Sequence, residues 1–229
     1  KMSEFEMGVY EVTNSQYCAY LNEAMASGDI VASNYRMKGA KGLFKGKVFS
    51  AFVKPKSCGI AFDGGKFVVR PGWENWPVVW VTWYGAKAFA LHYGLDLPTE
   101  AEWEYACRGG LQLEHGTDDG TIHSAKANYI SDSGPKNVGS FPKNPFGLYD
   151  MSGNVWEWCH DWYSSDYYRV SPPDNPSGPD AGTHRVVRGG GWYQSNDYSR
   201  SAFRDGYLPD NWYEYVGFRV VCRVFPRNY

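Results

Sequence analysis

The amino-acid sequence predicts one α+β domain spanning residues 1–229, with few helices and much irregular backbone. Three observations lead there. Helical spacing of apolar residues occurs only in short stretches, strand-like runs are brief and punctuated by glycine, and long tracts rich in Gly, Asp, Ser and Asn join them. No internal repeat or domain boundary is visible, and 229 residues are enough to bury one sizeable core.

The first helix is expected over Gln16 to Ala26, where Tyr17, Tyr20, Leu21 and Ala24 share a face. Thr13 or Asn14 can cap its free amides, and Gly28 closes it. Residues 37–70 read as short strands, Val48-Phe49, Phe52-Val53 and Phe67-Val68-Val69, with turns at Gly42, Gly46, Gly64 and Gly65. Thr82 can cap a second helix from Trp83 to Tyr93, with Ala86, Phe89, Ala90 and Tyr93 on one face and Gly94 at its end. Thr99-Glu100-Ala101-Glu102 carries the threonine and trailing acid of a capping box, predicting a third, short helix through Tyr105 and Ala106. Residues 108–145 are read as surface loop, as is the proline-rich run from Ser171 to Pro176 ahead of Arg185-Val186-Val187-Arg188. Val216 to Val221 reads as a buried strand.

Composition narrows function mainly by exclusion. Twenty-three Lys and Arg against 25 Asp and Glu leave a net charge of −2, with no excess to hold a nucleic-acid backbone or an anionic membrane. No apolar run approaches the roughly 20 residues that cross a bilayer. Five cysteines, Cys18, Cys58, Cys107, Cys159 and Cys222, are widely spaced without a Cys-x-x-Cys pair, which argues against a zinc ribbon or thioredoxin-like site. They are either small buried side chains or, in an exported protein, one or two disulfides. The unusual feature is 17% aromatic residues, including 10 Trp and 18 Tyr, beside 26 Gly and 13 Pro. Such a chain is loop-rich and pinned by large rings. Trp73, Trp76, Trp80, Trp83, Trp103, Trp156 and Trp158 lie in or beside the helices and motifs and are assigned to the core.

Four motifs occur in order: Tyr10-Glu11-Val12-Thr13-Asn14; Leu97-Pro98-Thr99-Glu100-Ala101-Glu102-Trp103-Glu104; Gly147 through Trp158, containing Gly153-Asn154-Val155-Trp156-Glu157; and Arg188-Gly189-Gly190 with Gly217-Phe218-Arg219. Over essentially its whole length the chain resembles the formylglycine-generating enzyme, or sulfatase-modifying factor, family. The resemblance implies a C-type-lectin-like fold with two main helices and twisted antiparallel strands. It also implies a leader or first strand before Phe5-Glu6-Met7, and export to a bacterial cell surface or the periplasm.

Enzymes of that family oxidise a substrate cysteine with two cysteines of their own, placed between the Arg-Gly-Gly and Gly-Phe-Arg motifs, whose thiolates suit Cu(I). This sequence has no cysteine between Arg188 and Val221. One alignment puts Asn196 and Ser201 at those places, the other Ser199 and Arg204, so no copper is expected. A branch with iron-dependent sulfoxide chemistry needs an added helical domain with histidine ligands, and His92, His115, His123, His160 and His184 show no ligand spacing. The family's calcium segment corresponds to Asn154, the Val155 carbonyl and Glu157, whose hard oxygens could hold a structural Ca²⁺ or could tie the loop by hydrogen bonds alone.

Between Arg188 and Arg219 a fixed skeleton carries Tyr193, Ser195, Asn196, Asp197, Tyr198, Ser199, Phe203, Asp205, Gly206, Tyr207, Leu208, Trp212, Tyr213 and Tyr215. The pattern resembles the variable proteins of diversity-generating retroelements, in which mutated template adenines turn AAC codons into Tyr, Ser, Asp, Phe, Gly or Leu codons. Gln194, Trp212 and Glu214 do not arise that way. Tyr and Trp supply rigid contact area and Ser, Asp, Asn and Gly adaptable polar contacts, a composition suited to recognition. The alternative is that the tyrosines pack beneath loops. The resulting expectation is a non-catalytic, monomeric binding module with a ligand surface over about 188–219, set against a metal-dependent oxidase lacking the cysteine pair.

Overall fold

The structure, a computed structural model, describes residues 1–33, 36–51 and 58–223. Three helices, α1 (Asn14–Ala26), α2 (Trp83–His92) and α3 (Glu100–Cys107), begin where the capping threonines were expected. Thr13 and Thr99 each complete a capping box, with Gln16 and Glu102 reaching back to the cap amide, while the Thr82 hydroxyl accepts from Gly85 N. The α3 C-terminus needs outside help for its free carbonyls, and Asn144 supplies it by donating to Ala106 O at 2.8 Å and Cys107 O at 3.2 Å.

The strands form small sheets. β1 (Phe5–Met7) pairs antiparallel with β11 (Val221–Arg223), joining the two ends of the described chain. A three-stranded sheet holds β2 (Ile30–Ser33), β3 (Arg36–Gly39) and β4 (Val48–Ala51), and β5 (Ile60–Asp63) makes a hairpin with β6 (Lys66–Val69). The central sheet runs β10 (Val216–Gly217), β7 (Trp156–Trp162), β8 (Arg185–Arg188), β9 (Asp205–Tyr207). Its β10–β7 pair is parallel and the others antiparallel. The Phe52-Val53 strand lies outside the described residues. The expected strand from Val216 to Val221 is buried but broken, because Phe218 O and Val220 O accept from Val12 N and Gly8 N instead of extending one ladder.

The main core lies between α1, α2 and the central sheet. Tyr17, Leu21, Phe89, Trp83, Trp156, Trp158 and Phe218 meet there, and Tyr17 stacks on Phe89 with ring centroids 5.8 Å apart. A second cluster under α3 contains Trp103, Cys107, Met151, Cys159 and Val186. Burying an indole in such a core requires an acceptor for its N–H. Trp83 donates to Cys159 O (2.8 Å), Trp103 to Glu157 (2.8 Å) and Trp158 to Val81 O (3.1 Å). Trp73, Trp76 and Trp80, assigned to the core from sequence, are only half-buried. No helix of the described residues is long and apolar enough to cross a membrane. Residues 108–145 carry no helix or strand, yet His115, Asn128 and Asn144 within them are buried.

Candidate binding surface

The segment joining β8 to β10 returns across the face of β7, and a frame of arginines holds it. Arg188, fully buried, donates to Ser201 O at 2.8 Å and to Phe203 O, and pairs with Glu104. Arg204 forks onto Glu100 at 2.6 and 2.8 Å and reaches Ser164 O. Planar guanidinium forks suit this task because one side chain fixes several acceptors at once. Gly190, at φ +77°, lets the segment turn: a Cβ there would stand 2.6 Å from Ser199 Oγ.

Gln194 was not singled out as a structural residue, yet it ties the segment to the sheet. Its Oε1 accepts from Trp156 Nε1 at 2.5 Å and from Gly191 N at 3.2 Å, and its carbonyl accepts from Ile130 N. Nothing in the local sequence could have revealed this, since Trp156 is 38 positions away.

On this frame the expected ligand residues are brought together in large part. Tyr193 lies 4.8 Å from Tyr215, Tyr215 lies 5.2 Å from Tyr213, and Tyr213 lies 5.0 Å from Tyr207, all between ring centroids. Tyr207 continues to Trp156 (6.3 Å), which touches Phe203 (6.0 Å), and Phe203 touches Tyr198 (4.9 Å). The result is one continuous band of rings whose inner members, Phe203, Tyr207, Tyr213 and Tyr215, pack on the main core while Tyr193 and Tyr198 are exposed. Each inner ring is half in the core and half at the surface. Burial raises the Tyr193, Tyr207 and Tyr215 phenols above their ordinary value, so they present hydroxyl donors and not phenolates at neutral pH.

Asn196, Asp197 and Leu208 are exposed and Ser195 is half-exposed, around the same band. Asp205 and Gly206 lie in β9, where Asp205 accepts from the Gly206 amide and Gly206 abuts Tyr163. Trp212 is held apart from the band beneath the Arg36 guanidinium, 4.9 Å from the ring centroid. Ser199 departs from expectation. It is fully buried under Gly190, with its carbonyl accepting from Ser152 Oγ, and cannot touch a ligand.

The places that carry thiols in the oxidising enzymes are no better disposed as a reactive pair. Ser201 is fully buried and 3.3 Å from Cys107 Sγ, Asn196 points to solvent, and Arg204 is committed to Glu100. Cys107 itself is inaccessible, with burial pushing its thiol up to about 12.

The residues expected to hold calcium do not fit the ion. Both Glu157 oxygens accept from Arg219, at 2.7 and 2.8 Å, and one also from Trp103, so a cation already occupies the carboxylate. Asn154 Oδ1 accepts from Lys136 N and Asn128 Nδ2, while its Nδ2 donates to Glu11. The Val155 amide faces Glu11 as well. Asn154 instead organises the loop: its φ is +66°, a conformation asparagine tolerates well. Glu11, Asp150 and Glu157 form a buried group around Arg219 that sequence reasoning missed. Burial, and then the neighbouring carboxylates, raise Glu11 well above the usual range, and burial pushes Asp150 up to about 6.

With this geometry in view, the similarities to known proteins are informative. The sulfatase-modifying factor enzyme 1-like domain family matches residues 1–224. The serine/threonine-protein kinase pkn1 of Chlamydia pneumoniae is 37% identical over 97% of this chain, which spans only 33% of that kinase. The formylglycine-generating enzyme of Streptomyces coelicolor is 39% identical over 66% of this chain and 54% of that enzyme. Among solved structures, Treponema denticola variable protein 1 superposes with a TM-score of 0.69 at 26% identity, covering 98% of this chain and 86% of that one. The C-type-lectin-like α+β architecture follows, and the chain belongs to the sulfatase-modifying factor enzyme 1-like, or FGE-sulfatase, domain family.

Proposed function

We propose that the chain is a non-catalytic binding module that presents the 193–215 segment to a protein or other surface ligand. The observation that carries this reading is the band of rings from Tyr193 to Tyr198, supplied almost wholly by one segment and held on a frame of buried arginines. Aromatic rings already supported by a core lose little freedom on binding, which is what a recognition surface needs. The similarity to a variable protein supports a diversified segment of the retroelement type, with the frame residues constant and the ring band changed between copies. Export to a bacterial cell surface or the periplasm, and action as a monomer, belong to the same reading.

Sequencing the source locus tests the diversification. Codons 193–215 are expected to differ from a neighbouring repeat only where that repeat has adenine; absence of such a repeat overturns this part. A second reading, an oxidase, is favoured by the identity to the Streptomyces enzyme. It is tested by incubating the protein with Cu(I), dioxygen as the oxidant and a cysteine-containing peptide. Conversion of cysteine to an aldehyde would replace the binding reading with catalysis, and unchanged peptide is expected.

A further inference from the structure

The two-stranded sheet of β1 and β11 leaves one side of β1 without a neighbouring strand. Gly8 N donates to Val220 O at 2.8 Å, which continues the register that places Glu6 opposite Cys222. Bonded and non-bonded pairs alternate along an antiparallel ladder, so Glu6 turns its main-chain groups to β11 while Phe5 and Met7 turn theirs to the free side. Val9, next in that outward row, is already engaged, because its carbonyl accepts from Tyr149 N at 3.0 Å. Among the described residues nothing bonds to the outward main-chain groups of Phe5 and Met7. The far side of β11 is closed by contrast, since Val221 exchanges two main-chain bonds with Asp96, at 2.9 and 2.8 Å. Edge strands are ordinarily blunted by Lys, Pro or a bulge, and β1 has none of these.

A groove of about 580 Å³ lies on this free side, between the 2–9 segment and Tyr105, Ala106, Phe146 and Leu148, and no residue of β11 lines it. The Tyr105 ring stands 6.3 Å from Phe5 and 5.6 Å from Phe146, and Tyr105, Phe146 and Val9 are all exposed. The charge of the lining has one sign. Glu4 and Glu6 are exposed there, and no basic side chain joins them. The nearest arginines are committed elsewhere, Arg108 to Glu104 and Arg223 to Asp96 and Glu102. Side chains alternate along a strand, and β1 follows the rule: Phe5 and Met7 pack on the cluster under α3, while Glu4 and Glu6 face solvent.

From these observations we infer that the free side of β1 receives an extended peptide segment of a partner protein, with apolar residues at alternate positions and Lys or Arg between them. Main-chain bonds to Phe5 and Met7 give such an added strand its register. Its residues opposite Phe5 and Met7 enter the groove against Tyr105 and Phe146, and those opposite Glu4 and Glu6 meet carboxylates at cross-strand distance. An acidic residue at these outward places would meet like charge. No residue of the 193–215 segment lines the groove, so this surface is additional to the ring band and independent of it.

Fluorescence anisotropy of a labelled peptide, acetyl-Thr-Lys-Val-Lys-Val-Lys-Thr-amide, tests the inference on the intact chain, with glutamate in place of every lysine as the comparison. The lysine peptide is expected to bind saturably, and the glutamate peptide at least about tenfold more weakly, since two cross-strand pairs change from attraction to repulsion. The double variant Glu4→Lys/Glu6→Lys changes exposed side chains only and is expected to reverse that preference. Met7→Pro removes a donor from the free side and none from the β11 ladder, so it should weaken the lysine peptide at least about tenfold, and Met7→Ala, which keeps the donor, by a smaller factor. Amide exchange followed by NMR gives a reading without substitution: Phe5 and Met7 amides exchange fast in the free chain and become protected by the lysine peptide. No saturable binding, equal binding of the two peptides, an unreversed preference in the double variant, or unprotected Phe5 and Met7 amides overturns the inference. Loss of binding in Tyr193→Ala would transfer the peptide to the ring band, and self-association that protects Phe5 and Met7 without peptide would make a second copy the occupant; either overturns it equally.

Discussion

Arg219→Met is the perturbation with the most definite consequence. The guanidinium is fully buried and makes two bonds to Glu157 (2.7 and 2.8 Å), one to Tyr149 O (2.9 Å) and one to Gly8 O (3.1 Å). Methionine fills similar space but leaves the fully buried Glu157 carboxylate without its cation, beside Glu11 and Asp150. Removing one partner of a buried ion pair costs about 3–5 kcal/mol, chiefly as the stranded charge. For a domain of this size that corresponds to a fall of roughly 10 °C in Tm. Urea unfolding followed by far-UV circular dichroism and Trp fluorescence measures it. The double variant Glu157→Gln/Arg219→Met removes the stranded charge while keeping an acceptor for Trp103, and is expected to be more stable than Arg219→Met alone. A loss below about 1 kcal/mol, or a double variant as unstable as the single one, would refute the assignment of Arg219 as the counter-ion of this group.

Three further outcomes follow from named residues. Burial, and then the nearby Glu100 and Glu102 charges, push Asp161 up to about 7, above the unfolded range near 4, so between these values the folded state holds the extra proton. Stability is therefore expected to decline as pH rises from about 4 to 7, with Asp161→Asn flattening this decline; an unchanged slope in the variant would contradict it. EDTA is expected to leave Tm within about 1 °C, because Arg219 already neutralises Glu157, whereas a Tm that climbs with added Ca²⁺ would show a bound ion. Tyr193→Ala, at an exposed ring, should change stability by no more than about 0.5 kcal/mol, while Phe203→Ala, packed on the core, should cost about 3 kcal/mol in the same urea experiment. Equal effects would mean that the band is not divided into surface and core members.

Helix starts were legible in the sequence because caps are local. Thr13, Thr82 and Thr99 bond to amides three positions ahead, so the pattern and its cause lie in the same short window. The motifs were legible as a resemblance, and the clustering of Tyr193, Tyr198, Tyr207, Tyr213 and Tyr215 marked a surface before any coordinates did. β7 was not foreseen: Trp156-Glu157-Trp158-Cys159-His160-Asp161-Trp162 lacks clean alternation because most of its side chains are buried. Ser199 could not be separated from its exposed neighbours, since its burial is set by Gly190 and Ser152 across the fold.

The order of residues alone sets the helices, the absence of a thiol pair between Arg188 and Val221, and the aromatic character of the 193–215 segment. All are properties of residue type and short spacing. Which groups share a charge or a surface depends on how the chain closes on itself. Glu157 is 62 positions from Arg219, and whether its oxygens meet a guanidinium or a calcium ion depends on two distant strands meeting. Phe5 and Phe146 likewise line one groove only through chain closure. Long-range electrostatics and packing follow from where the backbone returns, which no local pattern encodes.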